Sequence, residues 1–507
     1  MAIVGTIVHG VLVKKKNNLE KKQLNFDVQQ DTLAKLLNKA KNTAFGKDHG
    51  FTEILNSNDL VANFQKQVPL YHYETLFNDY WHKLLEGKPD ITWPGKVKYF
   101  GLTSGTSNDS SKRVPLTRDM IKSIRRIGIR QLLSLADLEL PPNFYETSVL
   151  MLGGSTTLVN METYFEGDLS GILAGRLPFW FNGFYKPGQI SKERDWSTKL
   201  DKIVSKAKDW DIGGICGVPA WVQILLEKII DRYGLQTIHD IWPNFRVFAH
   251  GGVHFQPYKK SFEKLMGKEV FYLETYLASE GFLAYQRKRD HAMQLSLDNG
   301  IFFEFIPFNS ANFKADGSLA ENPEVLTIDQ VKENEDYALL ISTNAGTWRY
   351  LIGDTVKFVS ARDFEIVITG RTKHFLSLCG EHLSVDNMTR AVSLVSERMN
   401  IDIKEFTVAG IPHQNLFAHK WYIGTDDKVA DKEALKLLLD KTLSELNDDY
   451  AVERRAALKD IMVEVMPVQA FYDWLKMKGK EGGQYKFPRV IGRQFEEWNE
   501  FCSPYLI

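Results

Sequence analysis

Four short clusters combine residue types that could do chemistry. Thr103-Ser104-Gly105-Thr106-Ser107, followed by Ser111-Lys112, sets hydroxyls around a flexible glycine with a lysine close behind. Hydroxyls and exposed backbone N–H groups after a strand suit the phosphates of a nucleotide, although ordinary loops share this composition. Tyr276-x-x-Ser279-Glu280-Gly281 pairs an aromatic face that could stack a base with a carboxylate and a hydroxyl that could hold Mg2+. Core packing explains Tyr276 equally well. Trp348-Arg349-Tyr350-x-Ile352-Gly353-Asp354 ends in an aspartate after glycine, a common arrangement for binding two ribose hydroxyls and also that of a capped turn. Gln484-Tyr485-Lys486-x-Pro488-Arg489 follows Gly482-Gly483, so Lys486 sits on a glycine-rich loop that could bring it to a distant site, or is a solvated tail lysine.

The elements around these clusters are legible from periodicity. Leu33, Leu36, Leu37 and Ala40 fall at helical spacing. Val97–Phe100 reads as a strand running into Gly101 and the Thr103 loop, and Arg118–Ala136 as a long helix. Further on, Lys199–Trp210 and Ala220–Tyr233 read as helices, the second stopped by Gly234. Between and after them, Gly213–Gly217, Phe245–Ala249 and Val270–Glu274 read as strands. The second of these ends in His250-Gly251-Gly252, and the third runs into Tyr276 and Glu280. Strands alternating with helices predict an α/β sheet with parallel portions. Ligands on such sheets sit at the carboxyl ends of the strands, where these clusters fall.

From about Met293 to Thr369 the pattern changes to antiparallel hairpins, with turns expected at Asp298-Asn299-Gly300 and Asn344-Ala345-Gly346. After Gly370-Arg371-Thr372-Lys373 the alternation restarts. Helices are expected at Val385–Met399, Lys432–Leu446 and Ala470–Met477, and strands at Glu405–Ile411, Trp421–Ile423 and Ile461–Val468. The chain therefore divides into a large N-terminal α/β unit and a smaller C-terminal α+β unit.

The chain has 507 residues, with Lys+Arg 63 against Asp+Glu 64 and a net charge of -1, so no strong overall field would draw it to nucleic acid. Hydrophobic residues at 44% and charged residues at 25% are those of a folded globular protein. Three scattered cysteines (Cys216, Cys379, Cys502) argue against a disulfide framework and for a reducing, cytoplasmic setting. The apolar stretch Ala2–Val13 precedes its lysines, the reverse of a signal peptide, and nothing approaches the roughly 18 apolar residues of a membrane span.

Several familiar motifs are missing: the phosphate-loop spacing, G-x-G-x-x-G after a strand, H-E-x-x-H and C-x-x-C. Gly101-x-x-Ser104-Gly105 is one residue off a nucleophile elbow. His250 and His254 could share a helix face for a metal, but Gly251-Gly252 between them argues against the helix.

In order, the hydroxyl-rich loop, Y-x-x-S-E, R-Y-x-x-G-D, the G-R hinge and a small lysine-bearing unit resemble the acyl-adenylate-forming superfamily. The chain is most similar to the Gretchen Hagen family of acyl acid amido synthetases, often called auxin-responsive promoter proteins. The stretches that carry this include Ala40–Gly46, Val68-Pro69-Leu70, Trp93–Pro115, Gly217–Trp221, Tyr276–Gly281, Trp348–Lys357 and Gln484–Arg489. TSGTS stands where the family more often has SSGTT.

The resemblance implies an N-terminal adenylating domain over residues 1–372 and a mobile C-terminal domain over 373–507. It implies ATP and Mg2+ as cofactors, a small carboxylic acid as first substrate and an amino acid as second, joined through an acyl-AMP intermediate. Thr103, Ser104, Gly105, Thr106 and Ser107 would wrap the phosphates. Tyr276, Ser279 and Glu280 would match the adenine, phosphate and Mg2+ positions, and Asp354 would hold the ribose, with Arg371 nearby. Gly251 and Gly252 would let the backbone approach the adenine or acyl group. Lys486 would be the mobile catalytic lysine, with Lys480 as the alternative. Val218, Trp221 and His250 would line the acyl pocket. Two other readings stay open: a ligase of the same superfamily with coenzyme A or another thiol as acceptor, and a nucleotide-binding protein without turnover. The oligomeric state is left open.

Overall fold

The computed structural model describes residues 3–19, 24–103, 112–177, 181, 183–252, 255, 258–314, 317–372, 375–376, 378–381, 383–429, 431–478 and 487–506. The helical lead-in begins with Ile3–Leu19 and Phe26–Ala40. Asn25 caps the second helix through the Val28 N–H, and Leu33, Leu36, Leu37 and Ala40 are buried at the predicted spacing. With Phe45, Phe51 and Phe64, this face closes over the antiparallel part of the main sheet around Trp348 and Phe302.

The main sheet has eleven strands among the described residues. Phe271–Ala278, Val247–Gly251, Ile212–Gly217, Ser148–Leu152 and Tyr185–Lys186 run parallel in that spatial order. Gly281–Gln286, Met293–Leu295, Glu365–Arg371, Thr347–Ser360, Asp336–Thr343 and Ile301–Pro307 extend it antiparallel on the other side. Strand Tyr99–Thr103 belongs to a separate four-stranded sheet and pairs antiparallel with Lys112–Leu116, Thr103 opposite Lys112. It begins and ends later than the Val97–Phe100 reading.

One further expectation is corrected. Asp298-Asn299-Gly300 is a turn, but its flanking strands do not pair with one another. The turn is instead tied to the helix Arg118–Ser134, where Asn299 donates to the Ser123 carbonyl at 2.9 Å. Local turn chemistry was right, and a tertiary hydrogen bond decided where the chain went. Ser279-Glu280 follows the strand Phe271–Ala278, which runs on past the expected Val270–Glu274. It is the two-residue turn between Phe271–Ala278 and Gly281–Gln286, with Ala278 opposite Gly281. The Asn344-Ala345-Gly346 hairpin is present, with Thr343 opposite Thr347.

In the C-terminal part, Ile403–His413, Leu416–Thr425 and Leu458–Met466 form a three-stranded sheet, and the helices Val385–Met399 and Lys432–Leu446 pack on it. This part has its own core around Trp421 and Leu439. Cys379, Leu416, Phe417 and Ala457 nonetheless join the core of the large α/β part beside the helix Pro219–Tyr233. Among the described residues, no helix is long and apolar enough to cross a membrane.

Candidate active site

The long strand Thr347–Ser360 carries Asp354 next to the sheet strand Glu365–Arg371, and backbone register sets Asp354 opposite Arg371. Arg371 Nε reaches Asp354 Oδ1 at 2.9 Å. On the other side, the Tyr276 hydroxyl donates to Asp354 Oδ2 at 2.6 Å. Tyr276 is almost fully buried, and its ring packs in the core beneath the site. Burial first, and then the Asp354 carboxylate, push the Tyr276 hydroxyl well above its usual range, so it stays a donor.

Glu280, on the hairpin turn that follows Tyr276, is buried as well. Its carboxyl is raised above the usual range, first by burial and further by Asp354, while its own N–H, Lys112 and Arg371 oppose the rise. Tyr350, from the strand that carries Asp354, lies against Glu280, and burial and that charge raise its hydroxyl. The strand Tyr99–Thr103 is close: a Cβ at Gly101 would come 3.3 Å from Ser279 Oγ. Four strands thus gather Thr103, Ser279, Glu280, Tyr276, Asp354 and Arg371: Tyr99–Thr103 of the smaller sheet, and Phe271–Ala278 with its turn, Thr347–Ser360 and Glu365–Arg371 of the main one.

At the carboxyl ends of the neighbouring parallel strands, Gly251 and Gly252 follow His250. A Cβ on Gly251 would sit 2.4 Å from the Thr275 carbonyl oxygen, so only glycine lets this strand meet its neighbour. Gly252 has φ +84, a left-handed conformation that glycine adopts freely, and its open side faces Val218. His250 is buried, with its ring stacked on Phe255 at 4.3 Å. Trp221 opens the helix Pro219–Tyr233 after strand Ile212–Gly217 and stacks on Trp196 at 4.6 Å. Its Nε1–H donates to Glu453 in the C-terminal part at 3.1 Å.

Ser104, Gly105, Thr106 and Ser107 lie outside the described residues, as do Lys480, Lys486 and His254. Among the described residues, no group of three or more metal-ligating side chains gathers. Glu280 fits a hydrated Mg2+ that takes its remaining ligands from phosphates: it is one carboxylate, poorly solvated, whose charge a dication would relieve.

Two further site residues lie in clusters the sequence already singles out, and the fold decides what they face. Tyr350 sits within a motif already singled out, but only the tertiary contact shows that it faces Glu280. Lys112, beside Thr103, acts on Glu280 and lies 5.0 Å over the Tyr73 ring. Arg349, in the same motif as Asp354, is occupied elsewhere. It forms a buried pair with Glu304 at 2.9 Å and donates to the Gln65 and Val68 carbonyls at 2.7 Å each.

One sheet of five parallel strands extended by six antiparallel ones, followed by a small α+β part, defines the acyl-adenylate-forming fold. The chain matches the GH3 family N-terminal domain over residues 15–156, the central domain over 294–369 and the C-terminal domain over 386–494. These matches together cover more than half of the chain, and it belongs to the GH3 family.

Indole-3-acetic acid-amido synthetase GH3.15 of Arabidopsis thaliana is 26% identical over 208 residues, 38% of this chain. Probable indole-3-acetic acid-amido synthetase GH3.11 of Oryza sativa subsp. japonica is 27% identical over 217 residues, also 38% of this chain. The matched stretch spans about a third of these curated relatives, 35% and 36% of their lengths. The solved structure of GH3.15 acyl acid amido synthetase superposes with a TM-score of 0.59 at 16% identity, covering 97% of this chain and 96% of that one. A 2-hydroxyisobutyryl-CoA ligase, in complex with 2-HIB-AMP and CoA, also gives 0.59, at 12% identity over 94% of this chain and 92% of its own.

Proposed function

We propose that this protein is an ATP-dependent acyl acid–amido synthetase. A carboxylate attacks the α-phosphate of ATP and expels pyrophosphate, and the resulting acyl-AMP passes its acyl group to the amine of an amino acid, with AMP leaving. The observation that carries this reading is the ionic and hydrogen-bonded triad of Tyr276, Asp354 and Arg371 beside buried Glu280, in a chain with all three GH3 domains.

In this reading Asp354, held at both oxygens, accepts from the ribose hydroxyls. Thr103, with Ser104, Gly105, Thr106 and Ser107 beyond it, cradles the phosphates together with Ser279. Glu280 holds Mg2+, which when bound supplies charge neutralisation on the phosphates. Positioning and charge compensation account for most of the rate in such transfers. Gly251 and Gly252 leave room for the nucleotide or acyl group, and Val218, Trp221 and His250 form the wall of an apolar acyl pocket. Residues 1–372 then act as the adenylating domain, and 373–507 as a mobile domain that brings in Lys486. Cys216, Cys379 and Cys502 are free thiols, which fits a reducing compartment such as the cytoplasm.

The equal fold match to a CoA ligase favours a second reading, in which a thiol accepts the acyl group. The test is pyrophosphate release from ATP and Mg2+ across a panel of aromatic and aliphatic acids, with and without amino acids or coenzyme A, products being weighed by mass spectrometry. An acid-dependent signal with an amide mass supports the synthetase. A thioester mass replaces the acceptor and keeps the adenylation step, and no acid-dependent release with ATP still bound leaves a nucleotide-binding protein without turnover. Removing one preorganised charge costs about 3 kcal/mol of barrier, so Lys486→Ala slows adenylation by about 10²-fold. That loss on Lys480→Ala instead transfers the role.

A further inference from the structure

Glu453 lies where the C-terminal part meets the helix Pro219–Tyr233, and its surroundings are unusual for an acid. Its carboxyl is buried. Oε1 accepts the Trp221 Nε1–H at 3.1 Å, and Oε2 has no hydrogen-bond partner among the described residues. The charged groups that act on it, Glu381 and Asp449, are both acids. The Tyr258 hydroxyl and the Cys379 thiol also lie within its electrostatic reach.

Glu381 is the stronger neighbour. It is buried with His419 at 2.9 Å and accepts from the Leu378, Cys379 and Gly380 N–H groups. Burial works against its charge, but His419 and these N–H groups outweigh it and hold the Glu381 carboxyl below its usual range. A second carboxyl beside a fixed anion, without a cation, is stable there only with its proton on. Burial first, and then Glu381, raise Glu453 to about 8.

The contacts around Glu453 join the two parts of the chain. Gln223 Nε2 donates to the Asn415 carbonyl at 2.8 Å, and the Tyr258 hydroxyl donates to the Leu378 carbonyl at 2.6 Å. Separation of the parts would take Trp221 and Tyr258 away and open Glu453 to water.

We propose that Glu453 is a positioning residue that ties the orientation of the C-terminal part to one proton. Protonated, it accepts from Trp221 and keeps that part docked on the wall of the acyl pocket; giving the proton to solvent favours release. This rests on the reading of residues 373–507 as a mobile domain. Docking then takes up one proton between the ordinary carboxylate range and about 8. Across that window the docking equilibrium falls by up to tenfold per pH unit, and above it the dependence flattens.

The test places spin labels at exposed Lys202 and Leu437 of the full chain and measures their separation from pH 6 to pH 9.5. The expected result is one short distance at pH 6.5, a second, longer population growing toward pH 9, and a single short distance throughout in Glu453→Gln. That variant keeps the acceptor for Trp221 and has no proton to lose. A wild-type response that persists unchanged in Glu453→Gln overturns the proposal. So does a distance that ignores pH but lengthens with ATP and an acid substrate, which would show mobile parts tied by something else. A single distance under every condition removes the mobile-domain reading along with it.

Discussion

Tyr276 and Asp354, 78 residues apart, meet in a buried hydrogen bond of 2.6 Å. This joins the strand of the Y-x-x-S-E motif to the strand of the G-D motif, and Arg371 completes the support at 2.9 Å. A carboxylate fixed on both sides is preorganised for one further task, accepting from a bound ligand, and loses little entropy when it does so.

Tyr276→Phe removes the donor and leaves the ring in its core position. A hydrogen bond to a charged group contributes about 1.5–3 kcal/mol to stability, so the unfolding midpoint should drop moderately, and the loosened Asp354 carboxylate should raise the apparent KM for ATP. ATP titrations of pyrophosphate release, beside thermal melts, check this. A large stability loss with unchanged ATP dependence would assign the bond to the core alone.

Glu280→Gln should separate stability from function. The Glu280 carboxyl is raised in the folded state, so the stability it contributes is present in acid and is lost as pH rises through its raised value. Measured without Mg2+, the variant should melt above the wild type at pH 8 and converge with it in acid. Mg2+-dependent adenylation should be lost. A variant that melts lower at pH 8, or adenylates normally, contradicts the assignment.

Arg349→Met tests a motif residue that the structure places away from the site. Leaving Glu304 buried without its partner costs about 3–5 kcal/mol. The expected outcome is a marked drop in the unfolding midpoint with an ATP KM close to wild type in the folded fraction. A selective ATP defect at full stability would show that the Arg349 guanidinium serves the nucleotide after all.

Gly251→Ala places a methyl group 2.4 Å from the Thr275 carbonyl, which forces two parallel strands apart beside the site. Soluble yield and ATP binding should both fall sharply. Gly252→Ala strains only a backbone with φ +84 and open surroundings, at about 1 kcal/mol. A milder phenotype at Gly251 than at Gly252 would refute this geometry.

Local chemistry made much of the fold legible. Leu33, Leu36, Leu37 and Ala40 lie on the buried face their spacing predicts, and Gly234 ends the helix Pro219–Tyr233 in a left-handed conformation. Asn344-Ala345-Gly346 turns between paired strands. Asp298-Asn299-Gly300 misled because an equally good turn is held by Ser123, 176 residues away, rather than by its own strands.

The sequence by itself determined the alternation of elements, the glycines that close backbone approach requires and the residue types available for nucleotide chemistry. These depend on neighbours a few positions apart, whose steric and hydrogen-bonding preferences act within one helix turn or one strand. Only the tertiary structure decided which of those residues meet. It placed Asp354 between Tyr276 and Arg371, turned Arg349 away to Glu304, set Tyr350 against Glu280 and put Trp221 on Glu453. Strand order and burial made those choices, because they determine which distant groups share a site and which charges lose their water.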